Sequence, residues 1–232
     1  MDRRRFLQAA VGAGLAAGVS GSLVSRSEAA PAGPQRAASN PEEALALLRA
    51  GNVRYAGGAG WNHDFSAERM TRAVGQKPFA AILSSADSWV APELIFDAQP
   101  GELFVCRDAG NFVTDVTTAS LEFGQAELGV HLIMVLGHSA CATVEAAVES
   151  VKTGKELPGR MSMLTKAIAP AVEAVLDQPG NLLDNAIEQN VRMNVERLSK
   201  SDPILAPAVK SGKLLIVGGV FQAASGEVVL LS

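Results

Sequence analysis

Apolar and polar positions along the chain alternate between strand-like and helix-like patterns. Strand-like runs lie at residues 79–83, 103–106, 132–136 and 214–220, and the first three are continuous apolar stretches typical of strands covered on both faces. Helical runs lie between them, at residues 92–97, 114–128 and 140–151. This alternation predicts an α/β fold with a mostly parallel central sheet and helices on both of its faces.

Further elements are predicted on either side of this alternating region. Asn40 is an N-cap, Pro41 takes the first helical position and Glu43 closes a capping box, so a helix is predicted to begin here. Two more helices are predicted at residues 162–176 and 182–199. The last 20 residues contain a strand, a turn at Ser225-Gly226 and a second strand, which predicts an antiparallel C-terminal edge.

The first 29 residues have the pattern of an export signal. Three arginines from Arg3 onward precede a Gly/Ala-rich stretch, and small residues offer cleavage points after Ala29 and Ala32. Glycine and serine interrupt the stretch, which argues against a membrane-spanning helix. The letters RRRFL match the twin-arginine form, so we expect export to the periplasm. The predicted organisation is a signal peptide over residues 1–29, a linker over 30–39 and one domain over 40–232.

Composition and charge narrow the choice of partners. The chain has 232 residues, of which 48% are hydrophobic, enough for the core of one compact domain. Its formal charge of −4 becomes −6 once residues 1–29 are removed. A mildly acidic mature protein argues against nucleic acid or an anionic membrane as partner.

Groups capable of chemistry follow three of the predicted strands, at residues 84–87, 106–108 and 137–141. His138 and Cys141 are one helical turn apart, and imidazole with thiolate is a suitable donor pair for zinc. A capped helix start with a buried cysteine would have the same pattern. Cys106 and Cys141 are the two cysteines of the chain, and in an oxidising compartment they could instead form one disulfide.

Long segments then resemble the β-class carbonic anhydrases. They are PEEALALLRAGNVRY, GQKPFAAILSSADSWVAPELIFDAQPGELFVCRDAGNFV, SLEFGQAELGVHLIMVLGHSACATVEAAV, NVRMNVERL and GKLLIVGGVF. The resemblance implies a dimeric α/β fold and a zinc held by two cysteines and one histidine. In that family zinc lowers the pKa of a water, and the resulting hydroxide attacks CO₂ to give bicarbonate.

The resemblance also assigns roles, and two of the matching positions are altered. The family's histidine and second cysteine match His138 and Cys141. Its first zinc cysteine matches Ser85, whose neutral hydroxyl is a far poorer ligand. Its Asp-x-Arg dyad matches Asp87 and Trp89, so the arginine that keeps the aspartate off the metal is replaced by an indole.

Three outcomes follow from these changes. In the first, zinc is lost and Asp87, His138 and Cys141 form a hydrogen-bonded remnant. In the second, Asp87 becomes a ligand, which restores three protein ligands and conserves formal charge but removes the aspartate from its family role of orienting the hydroxide. In the third, Cys106 reaches across from its strand to replace the missing thiolate.

The resemblance places further residues in the substrate cleft. Arg107 and Asp108 are expected there as a buried pair that shapes the pocket, and Trp89 is expected to fill space that the family's arginine occupies. The expected cleft residues are Trp89, Arg107, Asp108, Gly110, Asn111 and Gly137.

These observations predict a carbonic-anhydrase-like protein whose ancestral activity is zinc-dependent reversible hydration of CO₂. With one metal ligand and the dyad arginine missing, activity is expected to be weakened or lost. The alternative is a non-catalytic member that binds a small anion or a protein partner. By resemblance, the protein is expected to be a homodimer.

Overall fold

The computed structural model describes residues 36–60 and 75–231. Its strands are β1 (Ala80–Ser85), β2 (Leu103–Asp108), β3 (Leu132–His138), β4 (Leu215–Phe221) and β5 (Val228–Leu231). They form one sheet in the order β2-β1-β3-β4-β5, in which β5 alone runs antiparallel to its neighbour. The predicted fold class, a mostly parallel sheet with an antiparallel C-terminal edge, is confirmed.

The helices of the described residues match the predicted order. They are α1 (Pro41–Ala56), α2 (Pro92–Ile95), α3 (Asp115–Ala126), α4 (Ala142–Thr153), α5 (Ser162–Glu173), α6 (Leu182–Ser199) and α7 (Leu205–Lys210). The bounds of α6 coincide with the prediction. The short helix α7 and a 3₁₀ turn at Gly159–Met161 were not predicted.

The sheet separates two cores because successive side chains of a strand point to opposite faces. Ala81 and Leu83 of β1 pack on one face with apolar side chains of α3 to α7. Ala80 and Ile82 pack on the other face with α1 and α2. The helices are unequally distributed, since one face carries five of them and the other carries α1 and the four-residue α2.

The strand register brings the groups capable of chemistry to one edge of the sheet. Ser85 at the end of β1 pairs with Asp108 at the end of β2. His138 at the end of β3 pairs with Phe221 of β4. The carboxyl ends of neighbouring parallel strands therefore meet, as expected for a ligand site in an open α/β sheet.

The packed region begins before α1. The Asn40 side chain accepts a hydrogen bond from the Glu43 N–H, while the Glu43 carboxylate accepts one from the Ser39 N–H, so the capping box extends one residue beyond its predicted start. The Arg36 guanidinium binds the fully buried Glu102 carboxylate with an N···O distance of 2.6 Å. The last four residues of the predicted linker are thus attached to the domain, and residues 1–35 lie outside the described residues.

Among the described residues, none of the helices is both long enough and apolar enough to cross a lipid bilayer.

Candidate metal centre

His138, the last residue of β3, presents a nitrogen suited to metal binding. Its Nδ1 lies 3.0 Å from the Ser139 carbonyl oxygen, and since a carbonyl only accepts, Nδ1 carries the proton. Nε2 then keeps its lone pair, is buried and has no hydrogen-bond partner among the described residues. Burial lowers the pKa of His138, while the Ser139 carbonyl and the charge of Asp87 oppose this change. The lowered pKa favours the neutral imidazole, which is the form that binds a metal.

Cys141 lies at the N-cap of α4 and is almost completely buried. Burial raises the pKa of its thiol and the charge of Asp87 adds to this, but backbone N–H groups of Val144 and Thr143 and the Ser85 hydroxyl favour the thiolate. Ala140, between the two candidate ligands, has a φ of 54°. This left-handed conformation is unfavourable for alanine and is held here by the surrounding turn.

The turn after β1 brings Asp87 to the same place. Its Oδ2 lies 2.9 Å from Nε2 of His138, yet the two do not form a hydrogen bond of acceptable geometry. Ser85 is fully buried at the base of the turn, and its hydroxyl accepts a hydrogen bond from the Asp87 N–H at 3.3 Å. The position that the sequence resemblance assigns to a lost zinc cysteine thus contacts Cys141 and the backbone of Asp87.

These three side chains fit a zinc ion. The ligand atoms of Asp87, His138 and Cys141 all lie within 4.8 Å of one another. In a tetrahedral zinc site with bonds of about 2.0 to 2.3 Å, ligand atoms are roughly 3.3 to 3.6 Å apart. The widest pair would close by up to about 1.5 Å to reach that spacing, and Oδ2 of Asp87 and Nε2 of His138, which are 2.9 Å apart, would separate slightly. Oxygen, nitrogen and sulfur donors with one buried lone pair are also a chemically suitable set.

Cys106 is not part of this cluster. It lies in β2 beside Leu83, packs against the core on the α3 side and bonds to the Ser120 side chain. Burial raises the pKa of its thiol. Both cysteines are free in the structure, so it contains neither the alternative disulfide nor the alternative in which Cys106 replaces the missing ligand.

Trp89 lies against the imidazole of His138. The two rings meet edge to face, with centroids 4.8 Å apart and an interplanar angle of 87°. The Trp89 ring is also 6.1 Å from that of Phe221 and remains 45% exposed. An aromatic surface therefore borders the candidate metal position where the resemblance would place an arginine.

Arg107 does not form the expected buried pair with Asp108. Its side chain is exposed, and Nε and Nη2 donate hydrogen bonds to the main-chain carbonyls of Ser85 and Asp87 at 2.9 and 2.6 Å. Asp108 has a buried Oδ2 that finds no hydrogen-bond partner in residues 36–60 and 75–231, and burial raises the pKa of its carboxyl. Arg107 and Asp108 do not pair because adjacent side chains on β2 point to opposite faces of the sheet.

The remaining cleft residues lie in the turn after β2 and at the end of β3. A Cβ on Gly110 would come within 2.6 Å of the Ile168 side chain, and one on Gly137 within 2.7 Å of Val191. Both glycines therefore allow close packing of helices on the sheet. Asn111 has a φ of 43° and a buried Nδ2 with no hydrogen-bond partner in the described part of the chain.

Two supporting residues escaped the sequence analysis. Asn190 donates from Nδ2 to the Gly110 carbonyl at 2.9 Å, and Oδ1 of Asn194 accepts from the Val113 N–H at 2.7 Å. Both are buried on α6 and fix the turn after β2. The sequence contains a pattern that could have identified them. Two asparagines four positions apart fall on the apolar face of a predicted helix, where a polar side chain needs a buried hydrogen-bond partner.

The comparisons with known proteins point to one family. The carbonic anhydrase family model matches residues 80–228. Carbonic anhydrase 2 of Mycobacterium tuberculosis is 33% identical over 192 residues, which cover 82% of this chain and 93% of the relative. The chain belongs to the β-class carbonic anhydrase family.

Solved structures of β-class carbonic anhydrases have the same fold. The Coccomyxa β-carbonic anhydrase in complex with acetazolamide is 28% identical, has a TM-score of 0.63 and is matched over 72% of this chain and 78% of its own. The Sordaria macrospora enzymes, described as tetrameric, match at 24% identity with a TM-score of 0.63 over 72% of this chain and 87% of theirs. β-class carbonic anhydrases are zinc enzymes of CO₂ and bicarbonate, and the Asp87, His138 and Cys141 donors are compatible with that metal.

Proposed function

We propose that this β-class carbonic anhydrase hydrates CO₂ reversibly, with zinc held by Asp87, His138 and Cys141, and that it does so slowly. The observation that carries the proposal is the buried Nε2 of His138, which lacks a hydrogen-bond partner among the residues that the structure describes and has a carboxylate oxygen 2.9 Å away. A buried nitrogen lone pair without a partner is unfavourable unless something binds it. A metal ion between these donors would satisfy it.

The donor set is also balanced in charge. With Cys141 as thiolate and Asp87 as carboxylate, two negative charges face the ion, as they would with two thiolates. Zinc, when bound, acts as a Lewis acid that brings the pKa of a water close to neutrality. The reaction itself combines CO₂ and water into bicarbonate and one proton.

The chain's own residues prepare this site. The Ser139 carbonyl fixes the tautomer of His138 and aims Nε2 into the cluster. Backbone N–H groups at the start of α4 favour the thiolate of Cys141. Trp89 covers one side of the imidazole and limits the access of water. CO₂ is apolar, so an aromatic border suits its approach.

The low rate follows from the double demand on Asp87. In the family an arginine holds the aspartate off the metal, where it orients the nucleophile. Here the corresponding position is Trp89, and the Asp87 carboxylate lies at Nε2 of His138. A carboxylate that binds the ion no longer accepts the proton of the nucleophile, so weakened activity is expected.

The decisive experiment measures metal content and then the CO₂ hydration rate of the purified, untagged protein. We expect about one zinc per chain when zinc is supplied, with hydration above the uncatalysed rate and below that of relatives with two cysteines. Cys106→Ser is the matched control and should retain both. Protein that stays zinc-free at saturating zinc would overturn the proposal and favour a non-catalytic member that binds an anion or a protein.

We further propose a homodimer in which a second copy covers the thinly covered sheet face. That face has a cavity of about 350 Å³ between α1 and the sheet, lined by Leu48, Val53, Phe96, Met134, Val228 and Leu230, among others. Val53 beside it is 71% exposed. Val53→Asp should shift sedimentation toward the monomer, whereas the equally exposed Val116→Asp on α3 should not. A wild-type monomer would overturn this proposal.

The twin-arginine pattern supports export to the periplasm, with zinc loaded before export because that route carries folded proteins. Replacement of Arg3 and Arg4 by lysine should leave the protein in the cytoplasm, as measured by cell fractionation. Periplasmic protein in the double variant would contradict this proposal.

A further inference from the structure

We propose that Arg107 is a positioning residue that holds Asp87 at the metal site through the main chain of the β1 turn. The inference rests on the proposed function, since it assigns Asp87 as a ligand. Arg107 does not touch the cluster itself. It acts from the neighbouring strand, through hydrogen bonds to main-chain carbonyls.

The guanidinium matches the turn in geometry and in charge. Nε donates to the Ser85 carbonyl at 2.9 Å and Nη2 to the Asp87 carbonyl at 2.6 Å, so one planar group bridges the Ser85–Ala86 and Asp87–Ser88 peptide units. Hydrogen bonds from a charged donor are stronger than neutral ones. Among the described residues Arg107 makes no ion pair with a carboxylate, so both of its bonds are directed at this turn.

The other hydrogen bonds of the turn are longer, and the shortest of them runs from the Val90 N–H to the Asp87 carbonyl at 3.0 Å. The Ala86 N–H reaches the Asp108 carbonyl at 3.2 Å, and the Asp87 N–H reaches the Ser85 hydroxyl at 3.3 Å. The Asp87 carboxylate itself contacts His138 but accepts no hydrogen bond from any other described side chain. Its location is therefore set by the backbone that carries it, and the shortest bonds to that backbone come from Arg107.

The first test compares Co²⁺ binding and the Co²⁺ absorption spectrum in Arg107→Gln, Arg107→Lys and the wild type. Loss of a residue that orients a ligand typically weakens metal binding about 10- to 100-fold. We expect this for Arg107→Gln, with a change in the visible bands that report coordination. Lysine carries its charge on one compact ammonium group, which cannot span both carbonyls as the planar guanidinium does, so Arg107→Lys should rescue only part of the loss. Arg160→Gln, at an exposed arginine with no described partner, is the matched control.

A double-mutant cycle with Asp87→Asn separates positioning from general stability. If Arg107 acts through Asp87, Arg107→Gln should weaken Co²⁺ binding little further in the Asp87→Asn background. Independent, additive losses would overturn the proposal, because a merely structural role would persist without the carboxylate.

A metal-free measurement keeps the inference separate from the proposed function. In the apo protein, Arg107→Gln should speed hydrogen exchange of the amides of residues 86–90 relative to the wild type and to Arg160→Gln. Unchanged exchange there would overturn the role of Arg107. If the wild type bound no metal but exchange at these amides still rose in Arg107→Gln, the proposed function would be contradicted, while the role of Arg107 in positioning the turn would be supported.

Discussion

The end of β3 and the turn after β1 supply the two halves of the candidate metal site in different ways. His138 and Cys141 are 0% and 1% exposed, and main-chain groups on both sides fix them. The side chain of Asp87 is 27% exposed, and it is located by a turn that a side chain of another strand holds. The half at the end of β3 therefore lies inside the core, whereas the half in the turn after β1 lies at the edge of the core.

The difference indicates which half tolerates change. A substitution at the end of β3 must fit a packed core, as the close approach of Gly137 to Val191 shows. The turn after β1 opens to solvent, so Trp89 can be accommodated there with almost half of its surface exposed. Of the altered positions, Trp89 lies in this turn, whereas Ser85 is the buried last residue of the strand before it.

The largest expected effect is at the end of β3. Cys141→Ser removes the one thiolate of the cluster, and we expect zinc affinity to fall on the order of 100- to 1,000-fold. Competition with a chromophoric chelator measures the loss. Cys106→Ser should leave affinity unchanged, since that thiol bonds to Ser120 outside the cluster. Equal losses in the two variants would show that Cys106 also reaches the metal.

Asp87→Asn is an isosteric change that tests the half of the site in the turn after β1. A neutral amide is a weaker ligand than a carboxylate, so zinc affinity should fall about 10- to 100-fold, less than for Cys141→Ser. The same competition assay applies. Unchanged affinity together with a lower hydration rate would mean that Asp87 lies beside the metal and does not bind it.

Ser85→Cys with Trp89→Arg should give each half of the site a cysteine ligand. The buried Ser85 already contacts Cys141, so a thiol there adds a second soft ligand, while the arginine can draw Asp87 away from the ion. We expect zinc affinity to rise about 10-fold and the CO₂ hydration rate to rise with it. The double variant must be kept reduced, because two adjacent thiols can form a disulfide. A variant that gains neither would show that the site is altered beyond these positions.

For each unit of pH, metal binding should change no more than it does in the variants above. Burial raises the pKa of Cys141, so the thiol keeps its proton at neutral pH and must release it to bind zinc. The pKa of His138 is lowered, so this ring is already neutral and releases none. Zinc affinity should therefore increase with pH by up to about 10-fold per unit between about pH 7 and 9. A flat profile would mean that Cys141 is a thiolate before the metal binds.

The sequence predicted the fold and the end of β3 well because both depend on local patterns. Continuous apolar runs located β1 and β3, and the spacing of His138 and Cys141 made a shared site one of two open alternatives, of which the structure brings the two side chains together. The expected Arg107–Asp108 pair was wrong, since neighbours on a strand point apart. The hold of Arg107 on the turn joins residues about 20 positions apart through main-chain carbonyls, and no residue-type pattern encodes such a contact.

The edge-to-face contact between Trp89 and His138 also gives the protein an optical probe. The chain has two tryptophans, and one of them touches the imidazole at the centre of the site while half open to water. Indole emission depends on the polarity around the ring, so any ion or small molecule that enters the cluster should alter it. Replacement of Trp61 by phenylalanine would leave a single reporter, and occupancy could then be followed in the unlabelled protein on the time scale of mixing.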